Sequence, residues 1–321
     1  MSTRTSNAPV IQIPDAPQLR VEQDSPLSRT TTWRIGGPAD FLVRVGNADD
    51  LIAAVRWGRD EGSPITVIGG GSNLLVADSG IRGLVIVSKV SGEKSTSLVN
   101  WQDLGDEVLL TVGAQAPLSW VGRFASEHGW AGMDWGVGLP GTIGGATVNN
   151  AGAHGTEQKD HLESLRVLRL DGSIETHDRA WLNPTYRNTT IKTMERPRDY
   201  VVLDVTMRLP KGDTADLVRL ADEHAAYRKA TQPTGACGGS TFANPDGDFA
   251  GRLLEVAGLK GYAVGPVSFS EKHSNFIINS GGGMAEQVRE LIAHGQAVVR
   301  DRFGVELHRE IEYIGEMAGT E

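Results

Sequence analysis

Two glycine-rich segments carry the residues best suited to chemistry in this chain. GGGSNLLVADSG closes an apolar run with Gly69, Gly70 and Gly71, followed by Ser72, Asn73 and Leu74. Such a loop can turn several consecutive backbone N–H groups toward one point, and a nest of that kind binds phosphate without a positive side chain. Further along, GLPGTIGGATVNNAGAHG sets Gly138, Pro140, Gly141, Thr142, Gly144, Gly145, Asn149, Asn150 and Gly152 among small residues. Its hydroxyl and amide groups suit a flat hydrogen-bonding ring and a diphosphate. Two phosphate-type loops together point to one long nucleotide cofactor. GVGLPG, at Gly136–Gly141, also matches the dinucleotide string G-x-G-x-x-G, whose mechanism needs a strand before it and a helix after it. Here AGMDW precedes, a proline sits inside the turn and TIGGA is a poor helix start, so no Rossmann site is expected. No Gly-Lys-Ser/Thr follows a glycine loop, which leaves no Walker A site either.

Composition frames these loops. The 321 residues include 40 glycines, against a usual share of about 7%. They cluster at Gly36–Gly37, Gly69–Gly71, Gly238–Gly239 and Gly281–Gly283, with nine more between Gly129 and Gly155. There is no long Gly/Ser run and no repeat period, so linkers and solenoids are excluded. Any single cluster reads equally well as ordinary turns; it is their number that suggests loops shaped around one extended ligand. A net charge of −9 argues against a nucleic-acid partner. One cysteine, Cys237, allows neither an internal disulfide nor a Cys-based zinc site, and the eight histidines show no HExxH-like spacing, so no metal is expected. Nothing approaches a membrane-spanning apolar run, and the first twenty residues lack the apolar core of a signal peptide. The expectation is a soluble protein of a reducing compartment, cytoplasmic, with about two domains' worth of chain.

The elements that must position the loops follow from periodicity. Strands are expected at 41–45, 65–69, 84–88 and 108–114, a hairpin at 165–177 around Asp171-Gly172, and a strand at 201–210. Helices are expected from about Asp49, at 117–129, 214–229, 249–261 and 284–304, with a final strand at 305–315. The composition changes near Lys211–Asp213. This gives a flexible arm over residues 1–20, a cofactor-binding region of two lobes over 21–212, and a compact C-terminal α+β substrate domain over 213–321.

Seven segments in order then carry a resemblance. TTWRIGGPADFLV, VIGGGSNLLVADSGIRGLVI and GLPGTIGGATVNNAGAHG resemble the FAD-binding loops of the UDP-N-acetylenolpyruvoylglucosamine reductase (MurB) family. YRNT (186–189), GSTFANP (239–245), SEKHSNFIIN (270–279) and LHREIEYIG (307–315) resemble its active-site segments. The similarity runs from about Leu27 to Gly315. It implies an α+β flavoprotein of the PCMH-type fold, with non-covalent FAD and with NADPH as co-substrate. The implied reaction reduces the enolpyruvyl ether on UDP-N-acetylglucosamine to the lactyl ether of UDP-N-acetylmuramate, for peptidoglycan. The course is ping-pong: NADPH reduces FAD, NADP leaves, and hydride passes to the enolpyruvyl C3.

Residue roles come from the same register. Ser240 is implied as proton donor, with Arg187 and Glu310 stabilising the enol-like intermediate. A serine is a weak acid, so its position must count for more than its acidity. Read alone, Arg187 could be a surface ion-pair residue, Ser240 a turn cap, and Glu310 part of a solvated strand face. Tyr186, Lys229, Asn244 and Lys272 are candidates for uridine and diphosphate. The chain departs from the family pattern at His154, where many members have Tyr, and at Thr189, Ala243 and Glu312. About 14 residues separate Arg187 from the strand at Val201, as in the shorter type II branch, which lacks a substrate-capping insert. The C-terminal domain is expected to close over substrate. A flavin oxidase or dehydrogenase of a sugar or hydroxy acid on the same FAD-binding fold is the first rival. It would keep the glycine loops without needing GSTFANP or LHREIE. A non-catalytic nucleotide-binding protein is the second.

Overall fold

Aliphatic runs cut by glycine and proline set the strands, and Asn or Asp caps start several of the helices. The computed structural model describes residues 11–90, 92–194 and 199–317. The first lobe holds β1 (Ile11–Ile13), β2 (Ala16–Pro26), β3 (Pro38–Val45), β4 (Ile65–Ile68), β5 (Leu74–Val76) and β6 (Ile81–Ser88). All but β5 form one sheet in the order β1-β2-β3-β6-β4, with β3 and β4 both parallel to β6. Parallel strands need a crossover, and α1 (Ala48–Asp60) supplies it. Asn47 starts that helix by accepting the Asp50 N–H at 2.8 Å. Leu51, Ala54 and Val55 then pack on Val43, Val45, Leu84 and Ile86. From this sheet β4 runs straight into Gly69–Gly71.

The expected flexible arm is corrected in part. Residues 11–20 contain β1 and the first five residues of β2, and Ile13, Ala16 and Leu19 are buried. The polar look of PQLRVEQ is the outward half of an alternating strand, whose inward half covers the sheet. Residues 1–10 of the arm lie outside the described residues.

The second lobe begins with β7 (Val99–Asp103) and β8 (Glu107–Gly113). After them come α2 (Leu118–Glu127), a 3-10 turn at Asp134–Gly136, α3 (Ile143–Val148), and a small hairpin of β9 (Gly152–Ala153) and β10 (Thr156–Glu157). The chain continues with β11 (Leu162–Arg169), β12 (Ile174–Asp178), α4 (Arg179–Leu182), α5 (Thr190–Thr193) and β13 (Tyr200–Pro210). An antiparallel sheet in the order β12-β11-β13-β8-β7 results. Val108, Leu110 and Val112 alternate inward along β8 onto Val121 and Ala125 of α2, as a period of two requires. The poor helix start at TIGGA does form a helix, α3, because Thr142 caps it by accepting the Gly145 N–H at 3.4 Å. The Rossmann exclusion stands on what precedes, a 3-10 turn in place of a strand.

α6 (Thr214–Thr231) lies against α2 and the 3-10 turn, with an Arg123–Asp222 ion pair, so the helix after the composition change packs on the second lobe. The remaining unit contains β14 (Ala236–Cys237), α7 (Ala250–Val256), β15 (Ala263–Val264), β16 (Val267–Phe269), β17 (Ile277–Asn279) and α8 (Ala285–Phe303). Its sheet order is β14-β17-β16-β15. The strand expected over 305–315 is only β18 (Glu312–Ile314), apart from one bridge between Arg309 and Phe242. β18 is a strand because it finds a parallel partner in β5 of the first lobe. Two further ties join these units. Trp33 is buried in the C-terminal core and donates its indole N–H to the Ile277 carbonyl at 2.9 Å. Asp78 caps α8 by accepting from Ala285 N at 2.8 Å and Glu286 N at 3.1 Å.

Candidate active site

The three units meet around a cleft of about 840 Å³, within the usual range for small-molecule sites. One wall is almost entirely backbone. A Cβ on Gly70 would lie 2.7 Å from the Gly141 Cα, and one on Gly69 would lie 2.5 Å from Thr142 Oγ1. The two glycine loops therefore touch each other, and that contact leaves no room for a side chain. The N–H groups of Gly70, Gly71, Ser72 and Asn73 donate to no protein acceptor among the described residues, and all four residues line the cleft. Four consecutive amides without protein partners are what an anion-binding nest provides.

The opposite wall is charged. Arg187 sits in a tight turn closed by Thr185 and Asn188, at φ +55°. That conformation costs a non-glycine residue about 1 kcal/mol or more, so the surroundings must hold it. They do so through the guanidinium: Nε donates to Glu310 Oε1 at 3.0 Å, Nη2 to the Gly152 carbonyl at 2.7 Å and Nη1 to the Asn150 carbonyl at 3.3 Å. Glu157 Oε1 lies 3.5 Å from Nη1. Glu310 is fixed by its own backbone, whose N–H donates to the Thr241 carbonyl at 2.9 Å and whose carbonyl accepts from Asn73 Nδ2 at 3.0 Å. Burial pushes its carboxyl above the usual range, against the pull of Arg187 and Lys192. Ser240 precedes Thr241 and lines the same cleft, so the serine and the glutamate stand on adjacent segments. From α5, Lys192 Nζ donates to Asn149 Oδ1 at 2.9 Å and lies 3.1 Å from Glu312 Oε1. On the glycine side of the cleft the end of α6 contributes Arg228, whose Cδ would lie 3.5 Å from a Cβ on Gly138; it has no ion-pair partner among the described residues, and its protonation is weakened by burial. In chemical terms, an unpaired cation and free amides can hold a diphosphate. A fixed Arg–Glu pair beside a hydroxyl can stabilise and protonate a developing carbanion or enolate.

Comparisons with known proteins match both halves of this cleft. Residues 39–178 match the FAD binding domain family, and residues 231–314 match the family described as UDP-N-acetylenolpyruvoylglucosamine reductase, C-terminal domain. A relative named UDP-N-acetylenolpyruvoylglucosamine reductase, from Caldanaerobacter subterraneus subsp. tengcongensis, is 39% identical over 91% of this chain and 93% of its own. Another of that name, from Rubrobacter xylanophilus, is 39% identical over 91% of this chain and 95% of its own. The chain belongs to the UDP-N-acetylenolpyruvoylglucosamine reductase family. The crystal structure of the Thermus caldophilus reductase (MurB) superposes with a TM-score of 0.74 at 33% identity, over 92% of this chain and 99% of that one. The fold is thus the expected α+β flavoprotein fold of this family of oxidoreductases, with FAD as its cofactor.

The glycine wall fits that cofactor: four unpartnered amides and an unpaired Arg228 answer a diphosphate, and a cleft bounded by small residues admits a flat ring. Of the residues expected to hold FAD, Gly69 to Leu74, Pro140 to Thr142, Gly144, Gly145 and Gly152 line the cleft. Gly138 and Asn150 do not. Gly138 donates to Ser119 Oγ at 2.8 Å, and buried Asn150 ties Glu157, Lys159 and the Thr185 carbonyl together. Ser240, Arg187 and Glu310 all line the cleft, and Arg187 pairs with Glu310. Tyr186, Lys229, Asn244 and Lys272 stand outside the cleft lining. Tyr186 packs under the Arg187 guanidinium at 4.8 Å, Lys272 Nζ donates to the Lys229 carbonyl at 2.7 Å, and Asn244 accepts from Ala250 N at 3.1 Å. Lys192, Arg228 and Glu312 are cleft residues that sequence reasoning left without a role. Arg228 was hidden near the end of a helix rich in other charges, and Lys192 in a helix of one turn. His154 is not in the cleft lining, and its ring stacks on His224 at 3.9 Å.

Proposed function

We propose that this chain reduces UDP-N-acetylglucosamine enolpyruvate to UDP-N-acetylmuramate with NADPH, through FAD bound in the cleft. The observation that carries the reading is the Arg187–Glu310 pair at 3.0 Å beside Ser240, facing the glycine wall. Bound FAD would supply the hydride, drawn from NADPH, that adds to the enolpyruvyl C3. That addition puts negative charge on C2 and the neighbouring carboxylate. Arg187 is held by three acceptors, so its charge is already oriented when that negative charge develops. Glu310, with its proton affinity raised by burial, keeps the guanidinium in register and polarises the enol form. Ser240 gives its proton to C2, which completes the lactyl ether. Arg228 and the amides of Gly70–Asn73 would hold the cofactor diphosphate.

The reaction belongs to peptidoglycan precursor synthesis, in the cytoplasm, and so to cell-wall biogenesis, cell shape and cell division. Among the described residues no helix is long and apolar enough to cross a membrane. The division into a cofactor region and a C-terminal substrate domain, and the type II branch, belong to the same reading. An oxidase on this fold is not favoured, since it has no use for the family's C-terminal domain matched at 231–314.

The test is anaerobic. NADPH should bleach the flavin, and UDP-N-acetylglucosamine enolpyruvate should restore its colour with a product heavier by two hydrogens. Colour restored by oxygen alone would point to an oxidase. A protein that cannot be loaded with FAD would contradict both enzyme readings.

A further inference from the structure

The β9–β10 hairpin is closed by a two-residue turn in which both His154 (φ +55°) and Gly155 (φ +83°) are left-handed. Such a primed turn suits the twist of a tight hairpin, but it strains a histidine unless something holds the ring. The ring is held outside the hairpin. It lies parallel to His224 of α6, with centroids 3.9 Å apart and planes within 7°, and Tyr227 packs edge-on at 5.7 Å. His224 in turn has Nδ1 3.1 Å from Asp134 Oδ2 of the 3-10 turn, with both side chains mostly buried. The other end of the hairpin faces the cleft. Gly152 of β9 accepts from Arg187 Nη2 at 2.7 Å, and Glu157 of β10 lies 3.5 Å from Arg187 Nη1 while accepting from Asn150 Nδ2 at 3.2 Å. A continuous line of contacts thus runs from Asp134 through His224 and His154 to the guanidinium.

We propose that His154 and His224 are positioning residues for Arg187, their stack fixing the hairpin whose carbonyl and carboxylate orient the guanidinium. The proposal rests on Arg187 acting in the reduction described above. It carries a pH dependence. The groups facing His154 are His224, Tyr227 and Arg228 on α6 and Asp134 on the 3-10 turn. Burial first, and then His224 and Arg228, hold its imidazole below the ordinary 6.5, with Asp134 opposing. A histidine depressed in the folded state binds its proton more readily once released. Acid therefore favours the undocked hairpin, beginning near the ordinary 6.5 and growing until the folded-state value is passed.

The experiment uses the FAD-loaded protein, with amide hydrogen-exchange protection over 151–159 and both half-reactions followed against pH. In the wild type, hairpin protection should fall measurably between about pH 7.5 and 5.5, with about tenfold as the ceiling that one histidine released to 6.5 can produce. Reduction of the enolpyruvyl ether should fall in step, and flavin reduction by NADPH should not. His154→Tyr stacks without titrating in this range and should hold both signals level. His224→Phe keeps a ring in the stack but removes one of the groups that depress His154, so it should lessen the fall without abolishing it, and it serves if the first variant does not fold. Variants that keep the wild-type pH course, or a wild-type hairpin whose protection is flat, would overturn the proposal. If the wild type fails to reduce the ether at any pH, the proposed function falls, and the exchange data alone then decide the histidine contact.

Discussion

The two walls of the cleft are built on opposite principles. On the glycine wall, position is set by backbone meeting backbone, as where Gly70 meets Gly141, and the binding groups are amides that carry no net charge. On the charged wall, position is set by side chains holding side chains, as where Glu310, Gly152 and Asn150 converge on a strained Arg187. The first arrangement suits a cofactor that stays bound, since its contacts need no rearrangement. The second suits a charge that comes and goes during a reaction. Two arginines make the same contrast. Arg187 has its partners supplied by the protein, whereas Arg228 has no ion-pair partner among the described residues. An acidic chain, of net charge −9, can thus bind a dianionic diphosphate with one cation and a nest.

The division between the walls can be broken in graded steps. The largest effect is expected for Ser240→Ala, which should slow reduction of the enolpyruvyl ether by about 10²–10⁴-fold while leaving flavin reduction by NADPH nearly intact in stopped-flow traces. Arg187→Lys keeps the charge but loses the planar fork, and should cost the same half-reaction about 10²-fold. Gly70→Ala attacks the other wall, because its Cβ would sit 2.7 Å from the Gly141 Cα. It should destabilise the protein by about 1–3 kcal/mol in thermal or denaturant unfolding and weaken FAD retention, with the remaining holoenzyme near normal in turnover. Arg228→Met should be the mildest. Removing a half-buried cation without an ion-pair partner should raise the melting temperature of the flavin-free protein by about 1–2 °C and weaken FAD binding in a fluorescence titration.

The two walls were also unequally legible in the sequence. Gly69–Gly71 and Gly141–Gly145 announced themselves because a missing side chain is a local demand, visible wherever it occurs. The long elements were equally readable: α1, α2, α6 and α8 and strands β3, β8 and β13 follow from periodicity and caps. The charged wall was not readable in this way. Glu310 sits in HREIE, and nothing in that string separates it from Glu306 or Glu312 without the family register. What distinguishes it is that its backbone is gripped by Thr241 and Asn73, from segments 69 and 237 residues away. Long-range contacts also account for the errors. β18 is short because only three of its residues reach β5. The supposed arm is strand because β1 pairs with β2 and because Ile13, Ala16 and Leu19 are buried in a core shared with Leu168, Val201 and Leu203. Lys272 and Lys229, candidates for uridine and diphosphate, stand outside the cleft lining, where Lys272 Nζ donates to the Lys229 carbonyl.

The central claim is that cofactor binding and reduction of the enolpyruvyl ether reside on separate walls. The most direct test is the FAD dissociation constant of the Ser240→Ala/Glu310→Gln double variant, measured together with its two half-reactions. Both changes fall on the charged wall, and the Glu310 backbone contacts to Thr241 and Asn73 are preserved. The account predicts an FAD affinity within about threefold of wild type, normal bleaching by NADPH, and no measurable return of colour with UDP-N-acetylglucosamine enolpyruvate. A double variant that loses its FAD, or that still reduces the ether at the wild-type rate, would contradict it.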